Sequence, residues 1–169
     1  MLTANPAHPN LMVFDHPLIE HKMSYIRDIA TSHRPFRALI AQIAGLMFFE
    51  VTRTFPTVPV DVRTPMEPTT CRRIAALITV VPILRAGLGM AEGIMEVMPE
   101  ARVGHLGFYR DEKTLRPVPY LKRLPKDLHA GPVILVDPML STGGSASAAL
   151  ATLRDAGATD LRMICLVAS

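Results

Sequence analysis

Apolar residues along this chain follow two patterns, a stepping every third or fourth position and short unbroken runs. Leu18, Ile19, Met23, Ile26 and Ile29 step at helical intervals and predict a helix over 17–30, with Pro17 tolerated in its first turn. Phe36, Leu39, Ile40, Ile43, Met47 and Val51 form one stripe and predict a second, core-facing helix. Residues 1–15 carry prolines and asparagines and predict an irregular arm. In the proline-rich stretch 55–70, Val58, Val60 and Val62 alternate. That pattern predicts one extended edge strand or a hairpin arm, because proline cannot donate to a central ladder.

From Ile78 onward, buried strand-like runs alternate with helical stretches. The run beginning at Ile78 enters a loop with one arginine and two glycines, and a helix follows through Met98. A third strand is predicted at 102–109, Val133–Val136 reads as a strand buried on both faces, and 161–168 reads as a further buried strand. A helix over 146–156 is closed by Gly157. Residues 113–125 are charged and carry Pro117, Pro119, Tyr120 and Pro125, which predicts a flap over the site, with Lys113, Arg116, Lys122 and Arg123 as solvated charges. The alternation predicts one α/β domain over 1–169. Its sheet is mostly parallel, flanked by helices on both faces, with an antiparallel flap and a ligand site at the carboxyl ends of the strands.

Composition narrows this picture without redirecting it. A net charge of +3 suits an anionic small molecule but is too mild and dispersed for nucleic acid. Cys71 and Cys165 have no metal-binding spacing, and Cys165 in its apolar run reads as a buried reduced thiol. The longest uncharged apolar stretch, 38–49, is too short to span a bilayer, and the N-terminus has no signal-peptide pattern, so no membrane role and a cytoplasmic location are expected.

The chemistry concentrates in two loops. After Val136 come Asp137, Pro138, Met139, Leu140, Ser141, Thr142, Gly143, Gly144 and Ser145. Strand, small-residue loop and helix aim backbone N–H groups and a helix N-terminus at an anion, and Thr142 and Ser145 add hydroxyl donors. No lysine follows the glycines, so this is not a nucleoside-triphosphate P-loop. An acid just before a phosphate cradle repels phosphate but accepts strongly from sugar hydroxyls. Phosphate and polyol together point to a phosphorylated ribose. The second loop, Pro82 to Met90, places Arg85 between a strand end and Gly87, where a planar fork of donors suits a diphosphate. An ordinary strand-turn-helix with glycines for packing is the less favoured reading of the first loop. Gly87, Gly89 and Gly93 also approach a dinucleotide fingerprint, one residue too long, with Asp111 as its ribose acid.

The stretch from Val136 to Ser145 resembles the phosphoribosyl-diphosphate (PRPP) loop of the phosphoribosyltransferases. Its single acid followed by proline resembles the uracil phosphoribosyltransferases in particular, with Ser141 where that family usually has alanine. Pro82 to Met90 is similar to the same family's pyrophosphate loop. His16-Pro17-Leu18, His21-Lys22-Met23, Phe36-Arg37 and Tyr109-Arg110-Asp111-Glu112 followed by Pro117-Val118-Pro119-Tyr120 are similar to other segments of it. The resemblance implies a phosphoribosyltransferase-like fold and transfer of a phosphoribosyl group from PRPP to uracil, giving UMP and diphosphate. It implies that Arg85 and Arg110 meet the diphosphate, that Asp137 holds the ribose, and that Met139 to Ser145 hold the 5′-phosphate, with Pro138 also in the PRPP site. It further implies Mg²⁺ carried by the substrate, with no direct protein ligand, a homo-oligomer and a GTP activator. His16 and His21 are taken as structural, and no general base is identified. The family's further helix, strand and Gly-Asp-Ala segment, which holds the pyrimidine, has no counterpart here, so the domain is expected to lack its uracil-binding segment. A non-catalytic PRPP-sensing module and, more distantly, a dinucleotide-binding oxidoreductase domain are the other readings.

Overall fold

The computed structural model describes residues 2–111, 114 and 116–169; Lys113 and Leu115 of the expected flap, and Glu112 before it, lie outside the described residues. The chain opens with β1 (Leu2–Asn5) paired antiparallel to β2 (His8–Phe14), which corrects the expected irregular arm to a hairpin. Asn5 makes the turn: its Oδ1 accepts from the Ala7 N–H at 2.9 Å. Helix α1 (Pro17–Arg27) starts on His16, whose Nδ1 accepts from the Leu18 N–H, and His21 stacks edge-on against Tyr25. Both histidines are structural, as expected. The helix stops short of 30 because Asp28 accepts from the Ala30 and Thr31 N–H groups and turns the chain. Ile29, counted in the apolar stripe, is fully exposed instead.

Helix α2 (His33–Val51) buries Ile40, Ile43, Met47 and Phe48. With the short turn after it, 33–54 is long and apolar enough to cross a membrane by length and composition, yet this stripe sits in the protein core. The valine alternation resolves as a hairpin, β3 (Thr57–Arg63) with β4 (Pro68–Ile74), extending beyond 70.

The remaining elements build the main layer: β5 (Thr79–Leu84), α3 (Leu88–Val97), β6 (Arg102–Val103), β7 (His105–Arg110), β8 (Pro117–Arg123), β9 (Val133–Val136), β10 (Met139–Leu140), α4 (Gly144–Asp155), β11 (Leu161–Ile164) and β12 (Val167–Ala168). The six-stranded sheet runs β11-β9-β5-β7-β8, with the short β6 also on β5. All its pairings are parallel except β7–β8, so the expected flap is the antiparallel edge of the main sheet. Period-two alternation sends side chains to two cores. Ile78, Val80, Ile134, Val136 and Ile164 face α2 and α3, whereas Val81, Ile83, Leu106, Val133 and Leu135 face Ala149 and Leu153 of α4.

Two strands depart from expectation. Pro82 lies inside β5, and the turn begins only after Leu84. Its missing N–H falls where β6 gives way to β7 at Gly104, so the interior proline leaves the ladder intact on its other side, facing β9. The run 161–168 is broken in two and only half-buried over Leu161 to Met163. The Leu166 and Val167 N–H groups both donate to the Pro138 carbonyl at 3.1 Å, which bends the chain away from β9.

Candidate functional site

The chain's winding across the sheet reverses between the parallel neighbours β5 and β9. From β5 the chain crosses through α3 to β7 on one side, and from β9 it crosses through α4 to β11 on the other. The loops leaving these neighbouring strands therefore open side by side at the carboxyl edge, where open α/β sheets bind ligands. They are the same two loops that carry Arg85 and Asp137.

Gly87 holds the two together. A Cβ there would lie 2.4 Å from the Val136 carbonyl oxygen and 2.9 Å from the Ile83 nitrogen, so only hydrogen fits. The preceding Leu84–Arg85 peptide is cis. Arg85 is exposed, and among the described residues its guanidinium has no hydrogen bond or ion pair.

Asp137 is half-buried at the end of β9. Burial pushes its carboxyl above the usual aspartate value, partly offset by the Met139 backbone N–H. No cation among the described residues pairs with it. Burying an acid without compensation is unfavourable for the fold, which marks it as a candidate for function. It also raises the neighbouring half-buried Cys165 thiol, whose own burial is the larger cause.

The loop after Asp137 divides in two. Its first half is clamped by backbone: β10 pairs in parallel with β12, and the Ser169 N–H donates to the Leu140 carbonyl at 3.0 Å. Sequence reasoning missed this clasp, since two-residue strands leave no periodic signal. Pro138 and Leu140 thus serve the clasp through their backbones. The second half, from Ser141 to Ser145, leads into α4. Gly143 takes the left-handed φ of 75° at the helix N-cap, with no side chain capping the first turn. Ser141, Thr142 and Ser145 are exposed there, and Gly144 is partly so.

Arg110 closes the third side. It ends β7, and its Nη2 donates to Thr142 Oγ1 at 3.3 Å. Asp111 Oδ1 accepts from the Thr114 N–H and hydroxyl at 2.7 and 2.9 Å, a turn role rather than a sugar-binding one. Gly93, from the rival fingerprint, packs against α2 instead: a Cβ there would lie 1.9 Å from the Ala41 carbonyl oxygen. Both observations count against a dinucleotide site. Among the described residues no group of three or more His, Cys, Asp or Glu could hold a metal. A cleft of about 810 Å³ lies elsewhere, between β2, the end of α2 and β11, and touches none of Arg85, Arg110 or Asp137. The arginines lining that cleft, Arg53 and Arg162, are already paired with Glu50 and Asp160, whereas Arg85 at the switch-point loops has no such partner among the described residues.

The model of the uracil phosphoribosyltransferase family matches residues 13–169. Curated uracil phosphoribosyltransferases from Halalkalibacterium halodurans and Bacillus pumilus are 51% and 52% identical over 158 residues, covering 93% of this chain and 76% of each relative. The solved AQ2163 protein of Aquifex aeolicus superposes with a TM-score of 0.86 at 33% identity, covering 92% of this chain and 74% of that one. A hypoxanthine-guanine phosphoribosyltransferase from Bacillus anthracis shares the fold, with a TM-score of 0.58 at 10% identity over 79% of this chain and 68% of its own.

Proposed function

The chain belongs to the uracil phosphoribosyltransferase family, and from that premise we propose that it acts in transfer of a phosphoribosyl group from PRPP to uracil, giving UMP and diphosphate. In that reaction a bond forms between a uracil nitrogen and ribose C1 while the bond from C1 to the diphosphate oxygen breaks, and the nitrogen gives up its proton to water or to the departing diphosphate. Charge grows on the leaving diphosphate as the ribose ring becomes oxocarbenium-like, so positioned charge supplies the catalysis. The unpaired guanidinium of Arg85 and that of Arg110 would meet the diphosphate. The Asp137 carboxylate would accept from the ribose hydroxyls, and the open half of the loop, Ser141 to Ser145, would cradle the 5′-phosphate.

Phosphoribosyltransferases generally use Mg²⁺ with PRPP. The residues fit an ion carried by substrate oxygens and water, since Asp137 is read as the sugar-binding acid and, among the described residues, no ligand cluster surrounds it. When bound, the ion supplies charge neutralisation at the diphosphate. A cytoplasmic setting, where phosphorylated substrates are retained, belongs to the same reading. So do GTP activation and a homo-oligomer; an exposed valine and arginine hairpin, β3–β4, paired only with itself in the sheet topology, supports the oligomer.

The observation that carries the proposal is the half-buried, cation-free Asp137 beside a glycine-rich helix start at the switch point. Calorimetric titration with PRPP and Mg²⁺ tests it. Asp137→Asn should weaken binding about tenfold or more, the worth of a charge-assisted hydrogen bond. Unchanged affinity would overturn the assignment.

A further inference from the structure

Thr142 belongs to the loop read as the 5′-phosphate cradle, yet its one hydrogen bond to another side chain is received from Arg110, 32 residues earlier in the sequence. The contact is part of a larger seat. In the β7–β8 ladder Arg110 is opposite Pro117, and Pro117 Cδ lies 4.0 Å from where a Cβ on Gly144 would stand. Both residues at the loop end of the hairpin thus rest on the same three-residue stretch, 142–144. A threonine hydroxyl has one hydrogen to donate and two lone pairs. Here one lone pair is taken by the Arg110 guanidinium, and among the described residues the hydroxyl donates to nothing.

We propose that Thr142 is a positioning residue for Arg110: its oxygen fixes the guanidinium while its hydrogen remains available to a phosphate oxygen in the loop. Occupancy of the phosphate cradle then steadies the arginine that would meet the diphosphate of the same substrate. This inference rests on the assignment of the two ends made above and adds a link between them that neither loop supplies alone. The link is reciprocal, so a ligand at either end strengthens the grip at the other.

The test titrates inorganic pyrophosphate with Mg²⁺ while ribose 5-phosphate saturates the loop, so that pyrophosphate reports the arginine end. Thr142→Val keeps the shape of threonine and removes the hydroxyl; it should weaken pyrophosphate by about threefold or more, and Thr142→Ser should restore affinity to within about twofold of the parent. In an Arg110→Ala background the same Thr142→Val change should cost nothing further, because the partner it positions is gone. Equal losses in both backgrounds, or no loss in either, would overturn the link while leaving the assignment of the two ends intact. A parent protein that binds neither ribose 5-phosphate nor pyrophosphate would overturn the assignment and the link together. Circular dichroism and thermal midpoints unchanged by Thr142→Val would separate positioning from folding.

Discussion

Asp137 and Arg85 carry opposite charges, each without a charge partner among the described residues, and each accordingly makes a sharp expectation. The Asp137 carboxyl titrates above its ordinary value because burial disfavours the charged form. A group raised in the folded state adds stability at pH below its unfolded value and loses it as pH rises through the folded one. Asp137→Asn, which cannot ionise, should therefore be slightly more stable than the parent near neutral pH. The gain should be below about 1 kcal/mol because water still screens half the group, and it should vanish below the ordinary aspartate range. Urea unfolding at the two pH values reads this directly; a less stable variant at neutral pH would show that the carboxylate serves the fold. For Arg85→Lys the contrast lies between ligands. PRPP affinity should drop about tenfold, since a point ammonium cannot make bidentate contacts, whereas ribose 5-phosphate should bind variant and parent alike. Equal losses for both ligands would show that Arg85 acts through folding. Asp137, Arg85 and Thr142 were legible in the sequence because strand ends and glycines announced their loops. The bond between Arg110 and Thr142 was not, because no local pattern records which residues distant in sequence come to share a hydroxyl.

Elements explain why these loops stay together. Gly87 abuts the Val136 carbonyl and Gly93 abuts the Ala41 carbonyl, one joining two loops and the other two helices. Either change to alanine should destabilise the protein by about 1–3 kcal/mol, the usual cost of forcing volume into a packed interior. They should differ in consequence. Gly93→Ala, remote from the loops, should leave PRPP affinity of the folded protein within about twofold, while Gly87→Ala, which spreads the β5 and β9 loops, should weaken it about tenfold or more. Denaturant midpoints and titrations on the same samples would reveal the split, and matching affinities would refute the role given to Gly87. Elements with strong periodicity, α2 and β9 above all, were readable in advance. The first hairpin and the β10–β12 clasp were not. Asn5 and the Pro138 carbonyl organise them through individual hydrogen bonds, and such bonds leave no repeating pattern.

Across the whole molecule, the residues given a role in the proposed reaction are all placed at its phosphoribosyl end. No residue of 1–169 is assigned to the base, and the chain covers 76% of the curated relatives it matches. The central claim is that the switch-point loops grip PRPP for transfer to uracil. Its most direct test is conversion of labelled uracil to UMP at limiting PRPP with Mg²⁺, run side by side for the parent and for Asp137→Asn. The account predicts UMP formation by the parent that falls about tenfold or more in the variant. Equal turnover by parent and variant would contradict it.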